Sequence, residues 1–367
     1  MKLSGSAYLS EFFGTAIMMA IGIGAVVFMW SDGSVMRELI PSEPWRRLAT
    51  GLLFAGGGTA VVLSPLGQRS GGHLNPAMTF AFWLRGKIGT ADALLYALAQ
   101  SLGAFLGVLV VMTVASEAAL TVDLGMTRPG VGYSATVALA AELVITFALV
   151  FLIFWSVDSR RLARFTPWLA GLLIALLVMI EAPISGTSLN PARSLAPAVL
   201  MGVLTDLWLY FIGPVAGAAL AVLVYRLSGR EQVGTGCAKL HHTDRYPCLF
   251  EGCGYRRVAR GTRLFEEGDA SDRAYLIRAG EVEVRKRQAD GEERTIARLG
   301  PGEWVGEMGL LLGLPRSAAV VAVTDLDLDP MTRDNFEHLL GAHPEEAKRL
   351  LRQLAERLYA ADQRYSV

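Results

Sequence analysis

Up to about residue 227, long apolar runs alternate with short polar segments. Six of these runs approach the roughly 20 residues that a helix needs to cross a bilayer. Two further apolar stretches, 75–84 and 190–201, are much shorter, and both begin with Asn-Pro-Ala. The predicted spans are 8–30, 47–66, 91–115, 135–157, 167–181 with its flanks, and 206–227. The pattern therefore predicts six membrane-spanning helices and two half-helices.

The two halves of this apolar region repeat each other. Besides the two Asn-Pro-Ala tripeptides, Gly103-Ala104 in the third span matches Gly217-Ala218 in the sixth. Glu11 in the first span matches Glu142 in the fourth at a looser offset. Because each half supplies three spans, an odd number, the two copies must face opposite sides of the membrane. Inverted repeats of this kind place their functional site near the midplane, at discontinuous helices.

Beyond Ser228 the chain resembles an ordinary soluble protein, and from residue 255 it consists of short alternating runs. The predicted strands are 255–258, 263–265, 274–277, 281–285, 294–299, 319–323 and 326–329. Short strands separated by Gly, Asp and Pro turns predict a β-roll or jelly roll. A helix follows at 344–365, with one apolar stripe formed by Ala347, Leu350, Leu351, Leu354 and Leu358.

The predicted fold class is therefore an α-helical membrane protein with a C-terminal α+β domain built on a β-roll. We expect a transmembrane unit at 1–228, a hinge at 229–254 and a soluble domain at 255–367. The first apolar run is too long for a signal peptide and lacks a small-residue cleavage site.

The distribution of charge predicts how the chain is oriented across the membrane. The chain is 52% hydrophobic and 19% charged, with 34 basic and 34 acidic residues, and it has no basic tract that would bind nucleic acid. Loops rich in Arg and Lys alternate with loops that are poorer in them, and the basic loops hold Arg69, Arg85, Lys87, Arg160, Arg161 and Arg164. By the positive-inside rule, both termini are expected in the cytoplasm, with the protein integral to the plasma (inner) membrane.

The predicted hinge contains all three cysteines and two histidines. Mixtures of Cys and His suit zinc, but the spacing forms no paired Cys-x-x-Cys module and no disulfide framework. A polar hinge with incidental thiols is the preferred interpretation, and no metal is expected. The alternative metal ligands are Cys237, His241, Cys248 and Cys253.

The chemistry of each Asn-Pro-Ala suits a helix that starts inside a membrane. Asn is a good N-cap, and Pro fits the first helical position because its missing N–H would be unpaired there anyway. Each half-helix then directs its partly positive N-terminus toward the membrane centre. Half-helix dipoles arranged in this way exclude protons and cations. The side-chain amides of Asn75 and Asn190 can donate hydrogen bonds to a passing oxygen.

The segments around the tripeptides resemble the two signature loops of aquaporins. They are Gly72-His73-Leu74-Asn75-Pro76-Ala77 and Ser188-Leu189-Asn190-Pro191-Ala192-Arg193-Ser194, and the resemblance extends over about residues 5–228. It implies that Arg193 belongs to a narrow selectivity filter. It also implies that Glu11 and Glu142 anchor the two loops and that four copies form a homotetramer, each with its own pore.

The resemblance places the other filter positions at Ala55, with Phe54 beside it, and at Val178 and Thr187. Water-selective members carry an aromatic residue and a His at the first two positions. A filter with Ala55 and Val178 is wider and less polar, which favours glycerol, urea or undissociated metalloid acids such as arsenite, with water as a companion. Ser194 argues the other way, because glycerol channels of the family usually carry Asp there. A strict water channel is the alternative.

The second unit resembles cyclic-nucleotide-binding domains. The resemblance rests on Leu264-Phe265-Glu266-Glu267-Gly268-Asp269, on Gly306-Glu307-Met308-Gly309, and on Pro315-Arg316-Ser317-Ala318. It implies a phosphate-binding cassette, in which the planar fork of Arg316 meets the cyclic phosphate and Glu307 accepts from the ribose 2′-hydroxyl. Gly306, Met308 and Ser317 complete the expected site. The expected ligand is cAMP or cGMP as a regulator, and no cofactor is required.

Three classes of function follow. The favoured class is a passive channel for small neutral solutes that responds to a cyclic nucleotide. The second is a channel whose tail serves only assembly or partner binding. The third is a cyclic-nucleotide-gated ion channel, which is the weakest because the sequence has no repeated Arg voltage sensor and no carbonyl-filter motif. An enzyme is not expected, because the tail carries no catalytic motif.

Overall fold

The computed structural model describes residues 5–159, 162–228, 256–288, 290–333, 336–337, 340 and 344–365. The chain divides into two units, whose described residues run up to 228 and from 256 onward. The predicted hinge and its Cys237, His241, Cys248 and Cys253 lie outside the described residues. Within the described ranges, no group of three or more His, Cys, Asp or Glu side chains could hold a metal ion.

The first unit is helical, as predicted. Its helices are α1 (Gly5–Trp30), α2 (Met36–Leu39), α3 (Glu43–Leu63), α4 (Pro65–Ser70), α5 (Pro76–Leu84), α6 (Thr90–Leu120), α7 (Ala135–Val157), α8 (Thr166–Ser185), α9 (Pro191–Leu200) and α10 (Leu209–Leu227). The two half-helices are α5 and α9, with 9 and 10 residues. Each starts at the Pro of its tripeptide.

Five described helices are long and apolar enough to cross a membrane: α1, α6, α7, α8 with the turn before it, and α10. The remaining predicted span is the 21-residue helix α3, which is less apolar because Glu43, Arg46 and Arg47 lie in its first turns. It ends at Leu63, earlier than predicted, because Pro65 has no backbone N–H to continue the helix. Pro65 instead begins α4.

Two glycines let helices pack closely at equivalent places in the two repeats. A Cβ atom on Gly103 of α6 would lie 2.2 Å from the backbone oxygen of Phe12 in α1. A Cβ atom on Gly217 of α10 would lie 2.3 Å from the backbone oxygen of Leu143 in α7. Only glycine allows backbones to approach so closely, as in other membrane helix pairs. The internal repeat seen in the sequence therefore corresponds to the same close helix–helix contact in both halves of the unit.

The second unit contains eight described strands in two antiparallel four-stranded sheets, with orders β1-β8-β3-β6 and β2-β7-β4-β5. The strands are β1 (Arg256–Val258), β2 (Arg263–Phe265), β3 (Arg273–Ala279), β4 (Val282–Arg287), β5 (Glu293–Leu299), β6 (Trp304–Val305), β7 (Ala319–Ala322) and β8 (Leu326–Thr332). The predicted β-roll is confirmed. The two-residue β6 was not predicted, because alternation cannot be recognised over two positions.

Two helices complete the second unit, α11 (Glu307–Leu312) and α12 (Pro344–Tyr365). Leu350 of α12 is buried in a core cluster with Trp304 and Phe336. Only part of the predicted apolar stripe is buried, because Leu351 and Leu358 are 65% and 73% exposed. They lie outside the part of the helix surface that contacts the sheet.

Candidate functional site

The N-termini of the two half-helices are joined by reciprocal hydrogen bonds. The side-chain nitrogen of Asn75 donates to the backbone oxygen of Leu189, and that of Asn190 donates to the backbone oxygen of Leu74, both at 2.9 Å. The side-chain oxygen of each Asn accepts from the backbone N–H two residues later, at 2.8 and 3.0 Å. An amide nitrogen carries two N–H groups. One of them forms the reciprocal bond, and the other can face the cavity that both residues line.

Two buried carboxylates bind the loops that precede the half-helices. Glu11 accepts hydrogen bonds from the backbone N–H groups of His73 at 3.1 Å and Leu74 at 2.7 Å. Glu142 does the same for the two residues before Asn190, at 2.7 and 2.9 Å. The residue before each Asn has a positive φ, +52° and +59°, which is unfavourable for a leucine. Each carboxylate thus binds a loop at a leucine whose backbone is in the left-handed region.

A cavity of about 400 Å³ lies within the first unit. Its lining includes both Asn75 and Asn190 and all of the predicted filter residues, which are Ala55, Val178, Thr187 and Arg193. Glu11 and Glu142 are not part of the lining. The structure therefore brings the predicted pore residues together along one cavity and places the two carboxylates behind it.

Arg193 is almost fully buried, with 7% of its surface exposed. One terminal nitrogen donates to the backbone oxygen of Gly125 at 2.7 Å. The guanidinium lies over the ring of Phe54, 5.5 Å from the ring centre. An arginine at this depth is expensive in a membrane unless it lines a polar pathway, and here it lines the cavity.

Ser194 is not part of the cavity lining. Its hydroxyl oxygen lies 2.6 Å from that of Thr127 and 2.5 Å from that of Ser188, in a buried cluster. The residue type at position 194 therefore acts on the cavity only indirectly. This weakens the sequence argument that Ser194 favours a strict water channel.

Two residues lie next to the filter besides the predicted ones, and of these only Phe54 was noted in the sequence, as the neighbour of Ala55. Phe54 lines the cavity beside Ala55. Glu181 is buried, and its carboxylate accepts a hydrogen bond from the hydroxyl of Thr187 at 2.5 Å. The available signal for Glu181 was a carboxylate inside an apolar span, which is rare without a function. For the first filter position, the sequence left Ala55 and its neighbour Phe54 open, and both residues line the cavity.

At one end of the first unit, a buried ion pair joins Arg85, which follows half-helix α5, to Asp158, which follows α7. Arg85 contacts Asp158 at 2.8 Å, and both side chains are buried. The hydroxyl of Tyr225 donates to the same carboxylate at 2.7 Å. Arg226 donates to the backbone oxygen of Leu84, the last residue of α5. The last turn of α10 therefore contacts the end of α5 directly through Arg226 and shares the Asp158 carboxylate with Arg85.

In the second unit, the predicted ligand residues line one small cavity of about 60 Å³, and they are Gly306, Glu307, Met308, Arg316 and Ser317. Arg316 is 4% exposed, and burial lowers the pKa of its guanidinium. Its two terminal nitrogens donate to the backbone oxygens of Gly306 and Arg273 at 2.8 and 2.6 Å. Among the described residues, its buried Nε has no hydrogen-bond partner.

The final helix closes this cavity. Arg357 of α12 contacts Glu307 at 2.6 Å and donates to the backbone oxygen of Trp304 at 2.8 Å. Burial raises the pKa of the Glu307 carboxyl, and the charge of Arg357 opposes this shift. Sequence analysis missed Arg357, because it lies 50 residues from its partner. The acceptor predicted for a ribose hydroxyl is thus bound to the final helix.

These features define the class of protein. The first unit is an integral membrane protein in which two repeats meet at a cavity that both half-helix N-termini line, and the second unit is a β-roll. The chain belongs to the major intrinsic protein family, whose model matches residues 2–225. The model for the cyclic nucleotide-binding domain matches residues 255–343. Both resemblances noted in the sequence are confirmed.

Individual relatives agree with this assignment. The chain is 34% identical to aquaporin TIP2-3 of Arabidopsis thaliana over 225 residues, which are 60% of this chain and 85% of that protein. It is 37% identical to the lens fiber major intrinsic protein of Gallus gallus over 227 residues, which are 60% of this chain and 80% of that protein. The homologues are aquaporin channels and not enzymes.

Proposed function

We propose that this protein is a passive channel for small uncharged solutes, and that cAMP or cGMP bound to its second unit regulates the flux. The solutes would be glycerol, urea or undissociated metalloid acids such as arsenite, together with water. The observation that carries the solute class is the apolar character of Ala55 and Val178, which line the same cavity as Arg193. The protein would act as a homotetramer in the plasma (inner) membrane, with both termini in the cytoplasm.

In this proposal Asn75, Asn190 and Arg193 supply hydrogen bonds to a passing solute, and the half-helix dipoles exclude cations. Thr187 cannot supply its hydroxyl hydrogen, because Glu181 accepts it. Glu11 and Glu142 serve the pore indirectly, by holding the loop backbones. The third function class, a gated ion channel, is disfavoured by the positive N-termini of both half-helices.

Replacing Val178 with His should reduce glycerol flux by about tenfold while changing water flux much less, because a larger polar ring narrows an apolar wall. Stopped-flow light scattering on proteoliposomes measures both fluxes. Val178→Ile is the control, since it adds bulk without polarity and should have a smaller effect. A wild-type protein that passes water and no larger solute would contradict the proposed solute class.

The regulatory part of the proposal rests on the cassette. Arg316 fits a cyclic phosphate, because its buried Nε lacks a partner among the described residues. Small-ligand pockets usually have volumes of about 300–1,000 Å³, whereas this cavity is about 60 Å³. A nucleotide would therefore have to displace Arg357 from Glu307. Since Arg357 belongs to α12, ligand binding would move that helix.

The chain that follows α10 is one covalent route from the tail to the first unit. The last turn of α10 is linked to the end of half-helix α5 through Tyr225, Asp158 and Arg85. We propose that this contact transmits the response. A ligand shifts a channel only by its differential affinity for two states. A typical coupling of about 1–3 kcal/mol changes the population several-fold to a hundredfold.

Tyr225→Phe should reduce the change in flux that saturating cAMP or cGMP produces, while nucleotide affinity stays the same. The variant removes only the hydroxyl that binds Asp158, and the ring can remain against Arg85. Flux is measured in proteoliposomes with nucleotide on the side of the soluble domain, and binding is measured by calorimetry. If wild-type flux is unaffected by either nucleotide although one binds tightly, the tail serves assembly or partner binding instead.

A further inference from the structure

A buried carboxylate lies beside the cavity without being part of its lining. Glu181 is near the end of α8, and only 5% of its surface is exposed. Val178 and Ala182 of the same helix line the cavity, whereas Glu181 does not. Its Oε1 atom has no hydrogen-bond partner among the described residues. A carboxylate is expensive inside an apolar span, and an unpaired oxygen adds to the cost. Packing alone therefore does not account for an acidic residue at this position.

The other carboxylate oxygen binds a residue of the cavity wall. Oε2 of Glu181 accepts a hydrogen bond from the hydroxyl of Thr187 at 2.5 Å. Thr187 follows Gly186, the C-cap of α8, and it lines the cavity. Its φ is +53°, which is unfavourable for a β-branched residue. The contact therefore joins the end of α8 to a strained position of the loop that leads to α9.

The direction of this hydrogen bond decides what Thr187 offers to a solute. A hydroxyl can donate its hydrogen and accept at its lone pairs, whereas an ionised carboxylate only accepts. The hydrogen of the Thr187 hydroxyl is therefore directed to Glu181, and the oxygen keeps lone pairs for the cavity. Hydrogen bonds in a chain also polarise one another, so donation to Glu181 strengthens this oxygen as an acceptor. Thr187 is thus an acceptor in the cavity wall and not a donor.

The other polar side chains of the predicted pore offer donors to the cavity. The guanidinium of Arg193 has no acceptor atom, and the amide nitrogens of Asn75 and Asn190 each have an N–H beyond their reciprocal bond. Without Glu181, the hydroxyl of Thr187 could turn its hydrogen toward the cavity as well. The pairing with Glu181 therefore places one oriented acceptor among these donors. A solute hydroxyl, which both accepts and donates, can bond to both kinds of group.

We propose that Glu181 is a positioning residue of the channel, which orients the hydroxyl of Thr187 as an acceptor and thereby favours solutes that carry O–H groups. This inference rests on the proposed function, because it explains how the proposed pore selects polyols and undissociated metalloid acids. Water molecules in a file keep one another as hydrogen-bond partners, whereas the hydroxyl groups of a bulkier solute depend on the wall. Loss of the oriented acceptor should therefore slow glycerol more than water.

Replacing Glu181 with Leu should lower the glycerol-to-water flux ratio by about threefold, and Thr187→Val should lower it by about fivefold, as expected for the loss of one hydrogen bond. The effect of Thr187→Val is larger because it removes the acceptor itself, whereas Glu181→Leu removes its orientation and polarisation. Stopped-flow light scattering on proteoliposomes measures both fluxes. The ratio is used because it does not depend on the fraction of active protein.

Two further variants separate positioning from a structural role of Glu181. The double variant Glu181→Leu/Thr187→Val should have the ratio of Thr187→Val alone, because the carboxylate acts through that hydroxyl. A carboxylate that merely supports the fold would lower the ratio in both backgrounds. Glu181→Gln removes the charge but keeps an acceptor oxygen. It should therefore restore the wild-type ratio.

Ile180→Leu is the matched control, since Ile180 is the adjacent residue of α8 and is 70% exposed. Its ratio should equal that of the wild type. Glu181→Met, which has a similar length and no carboxylate, replaces Glu181→Leu if that variant does not fold. The inference is overturned if loss of the carboxylate leaves the ratio unchanged, or if it lowers the ratio equally with and without the hydroxyl of Thr187.

Failure of the proposed function would give a different result. A wild type that conducts glycerol, with a ratio that no change at residue 181 alters, would support the solute class and overturn the role of Glu181. A wild type that excludes glycerol would contradict the solute class, and water flux would then decide. An equal fall in water flux in Glu181→Leu, Thr187→Val and the double variant would support the role of Glu181, and any other pattern would overturn it.

Discussion

Replacing Arg316 with Lys should weaken the binding of cAMP or cGMP by roughly 30-fold or more, and Arg316→Glu should abolish it. Lysine keeps the positive charge but loses the planar fork that meets two phosphate oxygens at once. Removing one partner of a buried, hydrogen-bonded charge pair typically costs about 2–5 kcal/mol. For Arg316→Lys, the expected loss of binding free energy is at the lower end of this range, because lysine can still form one contact with the phosphate.

The measurement is calorimetric titration of the full-length protein in detergent. Arg316 also binds the backbone oxygens of Gly306 and Arg273, so thermal unfolding of each variant must be recorded alongside. Arg294→Lys is the matched control, because the Arg294 side chain is 66% exposed. It should bind as the wild type does. A Lys variant that folds and binds with unchanged affinity would contradict the assignment of Arg316 to the phosphate.

Basal solute flux gives an independent readout for the same variants. Arg316 belongs to the second unit and is not part of the lining of the channel cavity. Arg316→Lys should therefore leave flux without nucleotide unchanged and remove the response to nucleotide. A fall in basal flux would mean that the cassette supports the channel in the absence of ligand.

The sequence predicts the half-helices well because their signals are local. An Asn that can cap, followed by Pro at the first helical position, determines where α5 and α9 start. The repeated Glu11 and Glu142 were also visible, because a carboxylate is rare in an apolar span. The resemblance to a known family then placed them against the loops. The functional roles of these residues stay predictions.

Contacts between distant or adjacent positions were not predictable. Arg357 reaches Glu307 across 50 residues, and no local pattern indicates such a partner. Phe54 and Ala55 are neighbours on α3, and both line the cavity, which the spacing to the signature loop alone did not show. The predicted span also began at residue 47, whereas α3 begins at Glu43, because the charged residues of its first turns interrupt the apolar pattern. Each of these contacts depends on how helices or sheets pack together, and the hydrophobic periodicity of the sequence carries no information about that packing.

Glu142→Leu should prevent assembly of a functional channel, with loss of solute flux and a strongly lowered thermal stability. Glu142 accepts hydrogen bonds from two backbone N–H groups, at 2.7 and 2.9 Å, and from the hydroxyl of Ser185 at 2.6 Å. Leucine would leave these donors without a partner inside the membrane, where no water replaces it. Each orphaned group costs roughly 1–3 kcal/mol. The sum approaches the total stability of about 5–15 kcal/mol that is typical of a folded protein.

The inverted repeat supplies an internal comparison for this prediction. Glu11→Leu removes the equivalent acceptor from the other loop and should have an effect of the same kind. Glu142→Gln keeps one acceptor oxygen and should retain part of the stability, because only some of the donors lose their partner. Glu117→Leu is the control, since Glu117 is an exposed carboxylate of the same unit. Thermal unfolding in detergent and water flux in proteoliposomes are the measurements. A Glu142→Leu protein that unfolds at the wild-type temperature and conducts normally would show that the loop before α9 holds its strained backbone without the carboxylate.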